Sequence, residues 1–132
     1  MYIENSITVG DSTWQILVDG VKSAGIYAGI MFSERDGDHI YMAQALLSPE
    51  GAIIHHRRKL RPSGSERWFF SDGTMEGLQV QTTDIGRVGM LECGESVLRI
   101  ARSDNQALQS FDDFHYAGAV GEFASSAIPL YG

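Results

Sequence analysis

The 132-residue sequence contains one cysteine, three prolines and few basic side chains. One cysteine cannot form a disulfide within the chain, and no segment approaches the ~20 apolar residues of a membrane-spanning helix. Only 10 Lys and Arg residues stand against 17 Asp and Glu residues, which gives a net charge of -7. Nucleic-acid-binding proteins usually carry a basic surface, so the composition argues against that class.

The N-terminal sequence MYIENSITVG lacks the basic start and apolar segment of a secretory signal peptide. We therefore expect a cytoplasmic protein with no membrane partner. Hydrophobic residues make up 43% of the chain, and the length suits a single domain with a buried core.

One amphipathic helix is predicted over residues 10–25. Either Asp11 or Ser12 can cap its start, and Gly25 suits its C-terminal end. Apolar side chains recur at helical spacing, at Trp14, Leu17 and Val21.

Five short segments have the pattern of β-strands. The first is a nearly continuous apolar run, which is typical of a strand buried on both faces. Turn signals follow the first and second segments and predict antiparallel hairpins. The five segments are residues 26–32, 40–47, 52–56, 78–83 and 87–93.

The remaining regions have weaker patterns. Residues 55–67 are rich in basic side chains and contain Pro62 and Gly64, so we predict a loop there. After Glu95 a poor helix could present an apolar face, and no period extends to residue 132. The apolar residues of that face are Val97, Ile100, Ala101 and Leu108.

Cys93 follows the last predicted strand and is a candidate nucleophile. A thiol attacks as the thiolate, which needs a nearby positive charge or a base. Lys59 could supply the charge, and Glu66 could orient the lysine. The alternatives are an inert buried thiol and a solvated ion pair of little energetic value.

Two stretches carry a family resemblance. Residues 32–67, FSERDGDHIYMAQALLSPEGAIIHHRRKLRPSGSER, contain Lys59, Leu60 and Pro62, and end in glutamate-arginine. Residues 84–95, DIGRVGMLECGE, place a glycine four residues before the cysteine and a glutamate two residues after it. In motif, order and spacing, residues 3–95 resemble nitrilases and cyanide hydratases, which are carbon–nitrogen hydrolases.

The resemblance implies a fold and a chemistry. The expected fold class is α/β, a partial αββα sandwich with one helix, about five strands and an irregular tail. Cys93 matches the family's nucleophile, Lys59 its catalytic lysine and Glu66 the glutamate that supports the lysine. The implied reaction converts a nitrile or cyanide to an acid or amide through a cysteine thioimidate, and it requires no metal or organic cofactor.

The sequence departs from the family at three places. The family's general-base glutamate lies in a strand upstream of the matched residues, and neither Glu4 nor Glu34 stands in the base motif. Gly94 follows the cysteine where relatives have tryptophan or alanine. The resemblance is lost after Glu95, so we expect a nitrilase-like domain over residues 1–95 and a divergent tail over 96–132.

Two hypotheses follow from these departures. One is a nitrile hydrolase that acts on a small molecule. The other, which the sequence favours for this chain, is a non-catalytic remnant that self-associates or associates with a longer nitrilase.

Overall fold

The computed structural model describes residues 3–96 and the backbone of residues 114–117. The chain divides into two compact units, Met1–Gly77 and Leu78–Gly132. The described elements are α1 (Ser12–Ala24), β1 (Ala28–Asp36), β2 (His39–Leu47), β3 (Ile53–Arg58), β4 (Val80–Thr83), β5 (Gly86–Met90) and β6 (Phe114–Ala117), with 3-10 helices at Ile3–Asn5, Gly64–Trp68, Met75–Gly77 and Cys93–Ser96.

Helix α1 begins and ends as the sequence predicts. The carboxylate of Asp11 accepts the backbone N–H of Trp14 at 2.7 Å, which satisfies a donor that the first turn leaves open. This hydrogen bond and that from the Thr8 N–H lower the pKa of Asp11. At the other end Gly25 adopts a left-handed conformation with φ 61°, and its N–H binds the last carbonyls of the helix.

Strands β1, β2 and β3 form an antiparallel sheet in that order, which confirms the predicted hairpins. The prediction that the first strand is buried on both faces is wrong. Strand β1 covers residues 28–36, and Met31 on one of its faces is 40% exposed. The continuously buried segment lies in β2 instead, over residues 43–47, because β2 is the central strand with a neighbour on each side.

The two faces of this sheet have different characters. Helix α1 packs on one face, where Trp14, Val18 and Val21 join Ala45 and Leu47 in an apolar core. Successive side chains of a strand point to opposite faces. The other face therefore carries the alternate residues of β2, of β3 and of the chain that follows β3, and three of these are buried and polar: Gln44, Arg57 and Lys59.

The predicted loop over residues 55–67 is wrong for its first part. Strand β3 runs to Arg58, and the Lys59 N–H donates to the Met42 carbonyl at 2.7 Å, which continues the pairing with β2. The backbone groups of this basic segment are paired with β2, and the composition of the segment does not indicate that pairing. The side chains then alternate between the faces, so His55 and His56 point to opposite faces of the sheet.

The second unit contains strands β4, β5 and β6. Strands β4 and β5 pair antiparallel, and β6 pairs parallel to β5. The fifth predicted strand, residues 87–93, is too long at its C-terminal end. Strand β5 ends at Met90, because the chain turns into a 3-10 helix at Cys93. Strand β6 was not predicted, and the poor helix proposed over residues 97–108 lies outside the described residues.

None of the described helices is both long and apolar enough to cross a membrane.

Candidate active site

Lys59 and Glu66 form a close ion pair in the first unit. The Lys59 Nζ lies 2.7 Å from Glu66 Oε2. The lysine side chain is 0% exposed, whereas the glutamate side chain is 30% exposed. The structure therefore brings together two of the three side chains that the sequence singled out, with the ammonium inside and the carboxylate at the surface.

Both side chains are held by the backbone around them. The Lys59 N–H is bound to the Met42 carbonyl, and the Lys59 carbonyl accepts the Gly73 N–H at 2.8 Å. Glu66 lies in the 3-10 helix Gly64–Trp68, and its Oε2 accepts the Ser63 N–H at 2.6 Å. The same carboxylate oxygen thus fixes the start of a helix and receives the lysine.

The ion pair keeps Glu66 ionised. Partial burial raises the pKa of the Glu66 carboxyl. The hydrogen bonds from Lys59 and from the Ser63 N–H, together with the lysine charge, lower the pKa by more than burial raises it. The net pKa lies below the usual value, so the carboxylate stays charged near neutral pH. A buried ammonium needs such a partner, because an unpaired buried charge is very costly.

Lys59 retains donor capacity beyond the ion pair. An ammonium carries three N–H donors. One binds Glu66, and Met42 Sδ, a weak acceptor, lies 3.6 Å from the nitrogen. Within the described part of the chain Nζ has no third acceptor, so one N–H can serve a ligand.

A second buried cation lies on the same face of the sheet and was missed at the sequence level. Arg57 is 2% exposed, and its Nη1 donates to Gln44 Oε1 at 2.7 Å. His55, also on this face, binds the Gly77 carbonyl through Nε2 at 2.9 Å. Burial lowers the pKa of His55, as do the charges of Arg57 and His56. The sequence feature that indicates this face is the alternation of basic side chains at positions 55, 57 and 59.

The helix-covered face carries a separate ionic cluster centred on Glu34. Arg58 donates to both Glu34 oxygens, at 2.8 and 3.0 Å, and His56 Nε2 lies 2.9 Å from Oε2. Burial raises the pKa of Glu34, but the bonds and charges of His56 and Arg58 outweigh it and lower the pKa to about 2. Arg58 also binds Asp36 and lies 3.9 Å above the Tyr41 ring. Glu34 is thus committed to structural contacts.

Cys93 belongs to the second unit and opens the 3-10 helix Cys93–Ser96. Its φ is +50°, and it is the one non-glycine residue with positive φ in the described chain. This left-handed conformation costs an L-residue about 1–2 kcal/mol. The thiol is half-buried. The sequence placed Cys93 correctly near the end of a strand but gave no sign of the strained backbone.

The turn at Cys93 is closed by the residue two positions later. Glu95 Oε2 accepts the Glu92 N–H at 2.9 Å, and the Glu95 N–H donates to the Glu92 carbonyl at 3.1 Å. Glu95 is 2% exposed, so this contact is shielded from water.

Among the described residues, no group of three or more His, Cys, Asp or Glu side chains is arranged to hold a metal ion.

Comparisons with known proteins point to one family. The sequence model of the carbon–nitrogen hydrolases matches residues 1–109. A nitrilase of Talaromyces marneffei is 37% identical over 102 residues, which cover 76% of this chain and 32% of that protein. A cyanide hydratase of Gibberella baccata is 35% identical over 105 residues, which cover 79% of this chain and 30% of that protein. The chain thus spans about a third of the length of these relatives.

A solved structure shows the same fold. The carbon–nitrogen hydrolase of Helicobacter pylori G27 superposes with a TM-score of 0.66 and 20% identity, and covers 81% of this chain and 37% of that one. At this identity the likeness concerns the fold alone. It confirms the predicted fold class, part of an α/β sandwich of the carbon–nitrogen hydrolase type.

Proposed function

Since this chain belongs to the carbon–nitrogen hydrolase family, we propose that it carries catalytic side chains of a nitrile-hydrolysing enzyme. Cys93 is the nucleophile, Lys59 stabilises the charge that develops on nitrogen, and Glu66 holds the lysine. The substrate is a small nitrile or cyanide, the class named in the matched relatives.

The observation that carries the proposal is the buried Lys59–Glu66 pair. Its 2.7 Å contact holds the ammonium in place, and its burial excludes water from that charge. Hydrogen-bond donors fixed in such surroundings stabilise a developing anion far better than donors in water. A solvated surface pair would leave the lysine exposed and mobile, and the 0% exposure of its side chain contradicts that alternative.

The proposed reaction begins when the Cys93 thiolate adds to the nitrile carbon. The π-electron pair moves to nitrogen, which Lys59 protonates to give a thioimidate. Water adds to the same carbon, and ammonia leaves to give a thioester that a second water hydrolyses to the acid. If the thiolate leaves before ammonia, the product is the amide.

We assign no general base among the described residues. Glu34 is unsuitable because both of its oxygens are bound by Arg58 and one also by His56. Glu66 is bound by Lys59 and by the Ser63 N–H. General-base assistance typically contributes ~10²–10⁴-fold to a rate, so we expect this chain by itself to turn over slowly.

The test is to incubate the purified chain with cyanide, an aliphatic nitrile and an aromatic nitrile, and to follow nitrile loss, amide, acid and ammonia. We expect turnover that Cys93→Ala abolishes and Glu66→Gln reduces by about 10²-fold, because the lysine loses its charged partner. Glu76→Gln is the matched control, since Glu76 is an exposed glutamate in another 3-10 helix, and it should leave turnover unchanged.

No product above the Cys93→Ala level would contradict the hydrolase proposal for this chain. The alternative is a non-catalytic subunit of a longer nitrilase. It draws support from Trp68 and Phe69, which directly follow the Glu66–Arg67 pair and are 84% and 53% exposed. An inactive chain that changes the rate of a longer nitrilase added to the same assay would favour this alternative.

A further inference from the structure

The turn that presents Cys93 repeats an arrangement found elsewhere in the chain. In each of two 3-10 helices, a glutamate side chain accepts the backbone N–H of the residue three positions earlier. Glu66 accepts from Ser63 at 2.6 Å, and Glu95 accepts from Glu92 at 2.9 Å. In each case the glutamate N–H also donates to the carbonyl of that earlier residue, at 3.0 and 3.1 Å. Each glutamate thus closes a short loop of backbone with two hydrogen bonds.

The loop closed by Glu95 contains the strained residue. Cys93 lies between the two ends of the clamp, with φ +50°. A left-handed conformation at a residue with a Cβ persists only where the surrounding structure imposes it. The Glu92–Glu95 hydrogen bonds supply such a constraint, because they fix the backbone on both sides of the cysteine.

The strength of the clamp follows from its chemistry and burial. A carboxylate that accepts a backbone N–H makes a charge-assisted hydrogen bond, about twice as strong as a neutral one. Glu95 is 2% exposed, so water does not compete for its oxygens.

We propose that Glu95 is a positioning residue, which holds Cys93 in its left-handed conformation through the hydrogen bond to the Glu92 N–H. The inference deepens the proposed function, because it assigns to Glu95 the orientation of the proposed nucleophile. Loss of the clamp releases the backbone of Cys93 and changes the surroundings of the thiol. Loss of the charge alone, with the hydrogen-bond acceptor retained, leaves the thiol in place.

The experiment uses the fact that the chain has one cysteine. Alkylation by iodoacetamide, followed by mass spectrometry from pH 6 to 10, reports on Cys93 without any nitrile turnover. We compare the wild type with Glu95→Gln, which keeps an acceptor oxygen, and Glu95→Ala, which removes it. Hydrogen exchange of the Glu92 amide, followed by NMR, measures the clamp itself.

For Glu95→Ala we expect the alkylation rates across this pH range to move toward those of the urea-unfolded chain, and the Glu92 amide to exchange at least about tenfold faster. Glu95→Gln should keep the wild-type pH profile and most of the amide protection. Glu76→Ala, which removes an exposed glutamate, should resemble the wild type in both measurements.

Two results would overturn the proposal. One is a folded Glu95→Ala variant, by circular dichroism, with the wild-type pH profile and wild-type Glu92 exchange. The other is an equal change in Glu95→Gln and Glu95→Ala, which would show that charge matters and the clamp does not. If Glu95→Ala fails to fold, Glu95→Gln decides the question: a wild-type profile supports the clamp and an altered profile contradicts it. Because the assay needs no turnover, failure of the hydrolase proposal remains distinguishable.

Discussion

Among single residues, Lys59 and Cys93 are both held in states that isolated side chains avoid. Lys59 carries a charge with its side chain 0% exposed, and Cys93 has a left-handed backbone. A glutamate contacts each site: Glu66 pairs with the Lys59 ammonium, and Glu95 binds the backbone N–H of the residue before Cys93. Such costs are of order 1–3 kcal/mol at a strained backbone position and persist where function or surrounding structure requires them.

The strain at Cys93 can be measured with two substitutions that both remove the thiol. Cys93→Ala keeps a Cβ in the left-handed conformation, whereas Cys93→Gly removes it. We expect the free energy of unfolding, from urea titrations, to be about 1 kcal/mol higher for Cys93→Gly than for Cys93→Ala.

The control for this prediction is Ala52→Gly, at an exposed position where φ is not positive. There glycine should lower stability, by roughly 0.5–1 kcal/mol, since it gains freedom in the unfolded chain. A Cys93→Gly variant less stable than Cys93→Ala would show that the backbone at the cysteine carries no strain.

The sequence identifies these residues but not their states. The motifs around Lys59, Glu66 and Cys93 single out all three side chains. Burial of Lys59 depends on pairing with Met42, a residue 17 positions away that the local pattern does not point to. The sequence does not indicate the positive φ of Cys93. The usual signal for that conformation is a glycine, and here the glycine is the next residue, Gly94.

At the scale of elements, the turn between β2 and β3 is fitted closely against helix α1. Gly51 has φ +79°, and a Cβ added there would come within 2.8 Å of Val18 Cγ1 and 2.7 Å of Lys22 Cγ. Glycine at position 51 thus permits both the positive φ of the turn and the close packing of helix α1 against it.

Gly51→Ala should therefore destabilise the chain by about 2–4 kcal/mol, because backbone strain and overpacking against α1 add together. The matched control is Gly37→Ala in the β1–β2 turn. Gly37 also has positive φ, at +59°, but nothing lies within 4 Å of an added Cβ. This variant should lose only about 1 kcal/mol. Equal losses in urea unfolding would contradict the close packing of turn and helix.

Elements with strong local signals were predictable, and those that depend on distant partners were not. The cap residues Asp11 and Gly25 locate α1, and the turn residues locate the β1–β2 and β2–β3 hairpins. The apolar content of β1 suggested burial on both faces, but its place at one side of the three-stranded order leaves Met31 exposed. The local sequence does not indicate strand β6. This strand is defined by its pairing with β5, which is far away in the sequence.

At the scale of the whole molecule, the chain is acidic, but an ionic cluster on its first sheet depends on one carboxylate. Glu34 on β1 binds His56 and Arg58 on β3, so it connects the outer strands of the sheet across β2. The side chain of Glu34 is 6% exposed, and its pKa lies at about 2 instead of the usual 4.5. A pKa difference of this size corresponds to about 3 kcal/mol of stability that depends on ionised Glu34.

The sign of this effect predicts how the chain responds to acid. Because the folded pKa of Glu34 is lowered, its contribution is fully present above pH 4.5 and is lost as the pH falls toward about 2. In urea unfolding, Glu34→Gln should be less stable than the wild type by about 3 kcal/mol at pH 6, and the difference should shrink steadily between pH 4.5 and 2. Glu50→Gln, at an exposed turn, should match the wild type throughout. A Glu34→Gln deficit that stays constant across this range would mean that ionised Glu34 does not stabilise the sheet.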